Sequence, residues 1–339
     1  MALVLAVLLA LFTFFDFLEE VNSIGRGRYE FKDAVFYILL TIPGLVNQLL
    51  PIASLLGCVV GLGMLASNSE LIAMRSAGVS LLRIVWSVMR VAIIIIGIGL
   101  MLGEWIAPMS DQLAVTMRSV AISNQISLEG KQGLWAKDGQ EIVNVRDVLP
   151  GGRLGEILIY RIDANHKLSN VLHARSAYHR DGNWFLEDVT STLISDEGVA
   201  SLHQREQAWP TNLSPDLLNV VTAEPRTLSF PGLLQYIHYL EANGLSAEVY
   251  KQTLWGKLMV PLITATMMLL GIPFVFGPLR NVGIGSRIFV GSLIGIGFHL
   301  LNQMVGNMGL VFHVNPMFSA TVPVVAAFMV AIVLLRRVQ

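Results

Sequence analysis

The sequence predicts an α-helical membrane protein in which six transmembrane helices are split three and three by an inserted all-β domain. Three observations predict it. The chain is 54% hydrophobic and 14% charged, with a mean hydropathy of +0.62 over 339 residues, whereas an average soluble domain has about 25% charged residues. Apolar runs long enough to cross a hydrocarbon core of about 30 Å recur in both halves of the chain. Between them, from Gln125 to about Pro225, short stretches alternate apolar and polar residues with period two. The expected units are residues 1–122, 123–225 and 226–339.

Met1 to Leu18 is the first span, interrupted only by Asp16. It lacks the basic start and small-residue cleavage site of a signal peptide and reads as a membrane span whose cytoplasmic lead-in is expected to be short or missing. Glu19 to Thr41 is polar, with Arg26, Arg28 and Lys32, and Ile42 to Ala66 is the second span, carrying Pro43, Pro51 and a Gly57-x-x-x-Gly61 step suited to close helix packing. Ser67 to Arg83 is a short charged segment between two apolar runs. Ser67 and Glu70 fit a capping box and Gly78 a C′ position, which predicts a helix from Asn68 to Ala77 with Leu71, Met74 and Gly78 on one face. That helix is either an ordinary loop helix or a docking surface.

Ile84 to Pro108 is the third span, with Glu104 at its far interface, and Met109 to Ser123 continues as a polar helix holding Asp111 and Arg118. In the β block, strands are expected at Glu141–Val145, Glu156–Ile162, Ala174–His179, Trp184–Val189 and Val199–Gln204, separated by turn signals such as Pro150-Gly151-Gly152 and Asp181-Gly182. Leu228 to Ala242 places Leu233, Ile237 and Leu240 at helical spacing, as in a helix lying on the membrane surface. Leu258 to Gly277 is the fourth span, bent by Pro261 and Pro273; Ile288 to Gly306, with Gly291-x-x-x-Gly295, is the fifth; Met317 to Leu335 is the sixth.

Loop charge sets the orientation. With the N-terminus inside, the cytoplasmic segments hold Arg75, Arg83, Arg90, Arg280, Arg287, Arg336 and Arg337, against Arg26, Arg28 and Lys32 in the short outer loops. Both termini and the Ser67 segment are then cytoplasmic and the β domain lies on the outer side, which is the periplasm if the cell is Gram-negative.

The chemistry the residues allow is narrow. A net charge of -1 gives no global basic field for nucleic acid. There is no Gly-x-x-x-x-Gly-Lys-Ser/Thr loop, so any ATPase must be a separate chain. His173, His179 and His203 lack partners at metal-ligand spacing, Cys58 is a lone thiol in an apolar run, and no nucleophile elbow is present; no catalytic or metal residue is expected. Polar residues within spans remain: Asp16, and His299, Asn302 and Gln303 on one face of span five, suited to a cavity or to bonds between helices. The carboxylates at mid-depth are too few for a proton relay.

Four segments carry a family resemblance: Ser69-Glu70-Leu71-Ile72-Ala73-Met74-Arg75-Ser76-Ala77-Gly78, Gly103-Glu104-Trp105-Ile106-Ala107-Pro108, Gln132-Gly133-Leu134-Trp135-Ala136-Lys137-Asp138-Gly139 and Phe276-Gly277-Pro278-Leu279-Arg280. In this order, and with three spans on each side of a β domain, the chain resembles the LptF/LptG permeases of the lipopolysaccharide-export ABC transporter, the last two segments looking more like the G-type subunit.

The resemblance implies a noncatalytic permease of the Gram-negative inner membrane. It implies a heterodimer with an F-type permease over two copies of a cytoplasmic ABC ATPase, which binds ATP and Mg. It also implies a single-span C subunit with its own jellyroll, and a periplasmic bridge protein that receives the lipopolysaccharide. The β domain here is expected to be jellyroll-like. Glu70 falls where the family's coupling-helix glutamate meets an arginine of the ATPase, with Leu71, Met74, Arg75 and Gly78 around it. Arg118 matches a residue that contacts substrate phosphates, while Val115 departs from a second. The basic cluster at the outer end of span one is replaced by Thr13, Glu19 and Glu20, with Arg26, Arg28 and Lys32 as substitutes and Asp16 nearby. Leu49, Pro51 and His299 are assigned to the cavity wall, Leu49 and His299 where the family has aromatics. Other classes compatible with the residues are a scaffold or mechanotransmitter coupling an ATPase to periplasmic work, and a proton-driven lipid transporter.

Overall fold

The computed structural model describes residues 1–123, 126–127, 134–138, 140–149, 153–163, 167–180, 183–195, 198–211, 225–276 and 283–338. The turn signals at 150–152 and 181–182, Gln132, Gly133, Gly139 and the 277–281 segment with Arg280 lie outside them.

Six helices among the described residues are long and apolar enough to cross a membrane. α1 (Ala2–Val21) is apolar around its circumference up to Phe15, interrupted only by Thr13, and buries only Glu20, the pattern of a helix solvated by lipid or a second protein. α2 (Phe31–Ser67) is the hub and buries a continuous stripe from Leu49 to Gly63. It starts eleven residues before the expected Ile42 because Glu30 and Asp33 form a reciprocal cap, Glu30 N donating to Asp33 Oδ2 at 2.9 Å. The polar connection thus shrinks to residues 22–30. Gly27 in that loop has φ +60°, and a Cβ there would meet Ile122 O at 2.1 Å, so only glycine lets Arg28 N reach Ala121 O at 2.7 Å.

The third span and the polar helix after it are one rod. α4 (Leu81–Met101) runs through a π-helical turn at Leu102–Ile106 into α5 (Ala107–Ser123). Pro108 explains the turn: it has no N–H for the Glu104 carbonyl four residues earlier and its ring crowds that carbonyl, so the ladder shifts by one residue.

The β domain contains β1 (Ile126–Ser127), β2 (Leu134–Asp138), β3 (Glu141–Leu149), β4 (Arg153–Ile162), β5 (Leu168–Arg180), β6 (Asn183–Ser195) and β7 (Gly198–Trp209). All pairs are antiparallel, and from β3 onward each strand pairs with the next, with β1 and β2 both on β3. Register places Val145, Ile157, Ala174 and Val189 in one buried cross-strand row, which is how the period-two pattern becomes a core.

α6 (Phe230–Ala242) is the expected amphipathic helix, and it lays its apolar face on the sheet. Tyr236, Ile237, Tyr239 and Leu240 join the sheet's core, and the Tyr239 hydroxyl donates to Lys137 O at 3.0 Å.

α7 (Glu248–Phe276), α8 (Ile284–Val311) and α9 (Pro316–Val338) complete the second half. A Cβ on Gly291 would meet Leu56 at 2.9 Å and one on Gly295 would meet Ile52 at 3.3 Å, so this step of α8 lets it close on α2. Gly57 faces Met1 instead, and Gly61 has open space. Arg287, expected in a loop, is buried in the first turn of α8 and donates to Gly63 O of α2.

Candidate functional site

The segment after α2 forms α3 (Glu70–Ser76), a helix of two turns. The expected capping box does not form. Ser67 is the last residue of α2 and its hydroxyl donates to Met64 O at 2.9 Å, while Ser69, with φ 61°, stands at the N-cap. At the other end Gly78, φ +85°, closes the helix as expected: Gly78 N donates to Arg75 O and Val79 N to Met74 O, the paired bonds of a Schellman motif. Leu71 and Met74 do not share a role. Leu71 is buried with Leu62, Leu81 and Ile84, whereas Ile72, Met74, Arg75 and Glu70 are exposed. Glu70, released from capping, accepts a 3.4 Å hydrogen bond from Asn68 Nδ2. The helix is anchored by one leucine and presents an apolar pair between opposite charges.

A second constellation forms where α1, α2 and α5 meet. Arg118 Nε donates to Glu20 Oε1 at 2.8 Å, Arg118 Nη2 donates to Ser23 Oγ at 3.0 Å, and the guanidinium stacks over Tyr37 at 5.6 Å. The Glu20 side chain is 8% exposed and that of Arg118 36%, so one face of the cation stays open. Tyr29 is buried beside them. Burial, and then the neighbouring Glu20 carboxylate, push its phenol above the ordinary range, and its hydroxyl completes no hydrogen bond of normal geometry. Asp16 lies one turn before Glu20, half-buried, and Arg26 and Arg28 are exposed in the adjoining loop. Beside this cluster an open apolar groove of about 490 Å³ runs between α1 and α2, with Thr13, Phe14, Phe17, Ile38 and Leu39 on its walls.

The remaining cavity residues are not gathered there. Leu49 is 3% exposed. It points into the helix bundle because Leu49 and Leu50 begin the buried stripe of α2, and it does not line an accessible wall within the chain. Pro51 is half-buried on the same helix, and His299 is exposed on α8 with Gln303 one turn on.

The sequence pattern that defines the family described as lipopolysaccharide export system permease LptF/LptG matches residues 1–337. The chain belongs to the LptF/LptG family. It is 36% identical over 336 residues to the lipopolysaccharide export system permease protein LptG of Escherichia coli K12, covering 98% of this chain and 93% of that protein. To LptG of Haemophilus influenzae Rd it is 38% identical over 322 residues, covering 94% and 90%.

Within this LptF/LptG chain, two of the three β-domain histidines are engaged by carboxylates across adjacent strands, His173 by Glu156 at 3.0 Å and His203 by Asp188 at 3.3 Å, while His179 meets the Trp184 ring edge-on at 5.2 Å. Both pairs are exposed. Two functional candidates escaped sequence reasoning. Glu20 gave no local signal, because its partner Arg118 is 98 residues away. Lys257 did give one: it is a charge next to the apolar run of the fourth span, and such a group needs a partner.

Proposed function

We infer that this chain is a permease subunit of a lipopolysaccharide export transporter in a Gram-negative inner membrane. The observation that carries the reading is a family match that runs without a break through both membrane halves and the β insert. The physical task fits the architecture. A lipid with several acyl chains leaves the bilayer at a cost of about 0.8 kcal/mol per exposed CH₂, so a path needs a lipid-facing bundle and a sheltered apolar surface beyond it. The exposed apolar faces of α1 and α8 supply the first, and in this reading the β domain, which follows the third span in the chain, provides the second.

In the finer reading, α3 faces the cytoplasm and docks a separate ABC ATPase that binds ATP and Mg. Glu70 meets a basic residue of that ATPase, and Ile72 and Met74 enter its groove. Both termini are cytoplasmic and the β domain is periplasmic. An F-type permease covers the faces of α1 and α8, and the C subunit and the bridge protein follow the β domain. Arg118 takes an anionic oxygen of the head group on its open face, with Arg26 and Arg28 at the rim.

The test is coexpression with the neighbouring permease and ATPase, followed by delivery of lipopolysaccharide from proteoliposomes to a soluble jellyroll acceptor. ATP-dependent delivery by the copurified complex is the expected result. Delivery that persists without ATP or ATPase overturns the reading in favour of an ion-driven transporter, and ATP hydrolysis without lipid movement overturns it in favour of a scaffold.

A further inference from the structure

The π turn of the third span, the fourth span and the start of α6 meet at one point. Glu104, within the π turn, accepts from Phe230 N through Oε2 at 2.8 Å. Lys257 of α7 donates from Nζ to Leu228 O at 2.6 Å. The two charges themselves stand 3.6 Å apart, Nζ to Oε1, beyond a hydrogen bond of good geometry. Each side chain also bonds to the backbone between Leu228 and Phe230. The pair therefore joins α7 to the π turn and, through the second bond of each side chain, holds both to the same short piece of main chain.

The clamped backbone is the root of α6. Ser229 Oγ accepts from Gly232 N at 3.3 Å, and Glu104 takes the N–H of the first helical residue, so two of the orphan donors at this helix start have partners. From there α6 is continuous with the sheet, because Tyr236, Ile237, Tyr239 and Leu240 share the β core and Tyr239 is bonded to Lys137 of β2. Behind the clamp the spans fit closely. A Cβ on Gly103 would meet Asn47 Nδ2 at 2.4 Å, and a small cleft lined by Asn47, Gly99, Glu104, Lys257 and Pro261 lies between α2, α4 and α7.

We propose that Glu104 and Lys257 are positioning residues for lipid export: by gripping residues 228–230 they make α6 a lever that carries movement of the third and fourth spans into the β domain. The inference rests on the permease reading above. A shift of α7 against the π turn cannot leave α6 behind without breaking one of these bonds, and α6 cannot move without the sheet whose core it shares. Pi turns recur at functional sites in helices, and here the turn sets the carboxylate at the root of the lever.

The test uses the assembled transporter in proteoliposomes, with wild type, Lys257→Met, Glu104→Gln and Lys257→Arg. Lys257→Met is expected to leave ATP hydrolysis unchanged and to lower lipopolysaccharide delivered per ATP by about tenfold, the order of one hydrogen bond to a charged group. Glu104→Gln, which keeps an acceptor, falls less, and Lys257→Arg retains most delivery. Wild-type coupling in Lys257→Met overturns the proposal, as does a proportional loss of hydrolysis and delivery, which marks a role in assembly alone. A second measurement does not require transport. Spin labels at Leu202 on β7 and Ile98 on α4, both exposed, are expected to give a narrow distance distribution in the wild type and a broad one in Lys257→Met. Equal widths overturn the lever. Absence of ATP-dependent delivery in the wild type counts against the permease reading instead, and leaves the label distances to decide the lever.

Discussion

Arg118 and Glu20, 98 residues apart, form an ion pair in which the anion is almost wholly buried and the cation is a third exposed. The asymmetry orders the variants. Arg118→Met strands a buried carboxylate and is expected to cost about 1–3 kcal/mol in detergent unfolding. Glu20→Gln leaves a cation with one face in solvent and is expected to cost less. The reverse order would mean that the pair contributes through Arg118 packing on Tyr37.

The same pair bears on substrate loading. Glu20 competes with any anionic head group for Arg118, so Glu20→Gln is expected to raise photocrosslinking of lipopolysaccharide from a probe at Val115, an exposed position one turn earlier. Arg118→Glu is expected to lower it while ATPase assembly persists. Equal adducts in the wild type and both variants would remove Arg118 from the substrate path.

On α3, burial separates folding from docking. Leu71→Ala removes a buried anchor and is expected to destabilise by about 2 kcal/mol or more. Met74→Asp and Glu70→Arg alter exposed positions, with expected stability changes within about 0.5 kcal/mol. Both are expected to abolish copurification with the ATPase, and a partner charge reversal is expected to rescue Glu70→Arg. Full ATPase stimulation by Glu70→Arg would remove α3 from the docking surface.

What the sequence revealed depended on the range of the interactions. Apolar runs mark the six spans and period-two alternation marks the strands, because each burial pattern is local to its element. The start of α2 was misplaced because Lys32 and Asp33 read as loop although they sit in a capped first turn. Pro108 and Glu104 were visible, but the π turn comes from an insertion that no period reports. The apolar face of α6 was legible and its partner was not: amphipathicity says that a face is covered, not by what. Glu20 with Arg118, and Glu104 and Lys257 with the 228–230 backbone, are tertiary pairings and leave no spacing to read.

Gly27 gives a prediction about the outer loop. Its φ of +60° and the 2.1 Å approach of a built Cβ to Ile122 O leave no room for a side chain. Gly27→Ala is expected to cost at least about 1–2 kcal/mol from the left-handed backbone alone. It should also break the Arg28 N to Ala121 O bond and expose residues 22–30 to protease. Wild-type protease resistance would show that the loop is held chiefly by buried Tyr29.

The aromatic seam between α6 and α7 predicts an alkaline limit for the joint with the β domain. Tyr236 stacks on Tyr239 at 5.9 Å and meets Tyr250 edge-on at 4.5 Å. Burial raises the phenols of Tyr236 and Tyr239 above the ordinary value, helped by Tyr250 beside the first and by Asp138 beside the second. The folded state therefore keeps these protons at a pH where the unfolded chain has released them. Their contribution to stability is complete below the unfolded value of about 10 and declines as pH rises past it toward the folded values. The protection of amides in α6 and β2, taken relative to the exchange rate of unstructured peptide at the same pH, is accordingly expected to fall from about pH 10 upward, before protection in the membrane spans does. Tyr236→Phe should flatten that fall, since phenylalanine has no proton to lose, whereas Tyr239→Phe also gives up the bond to Lys137 O and should loosen α6 at every pH. An alkaline fall of unchanged steepness in Tyr236→Phe would assign it to other groups.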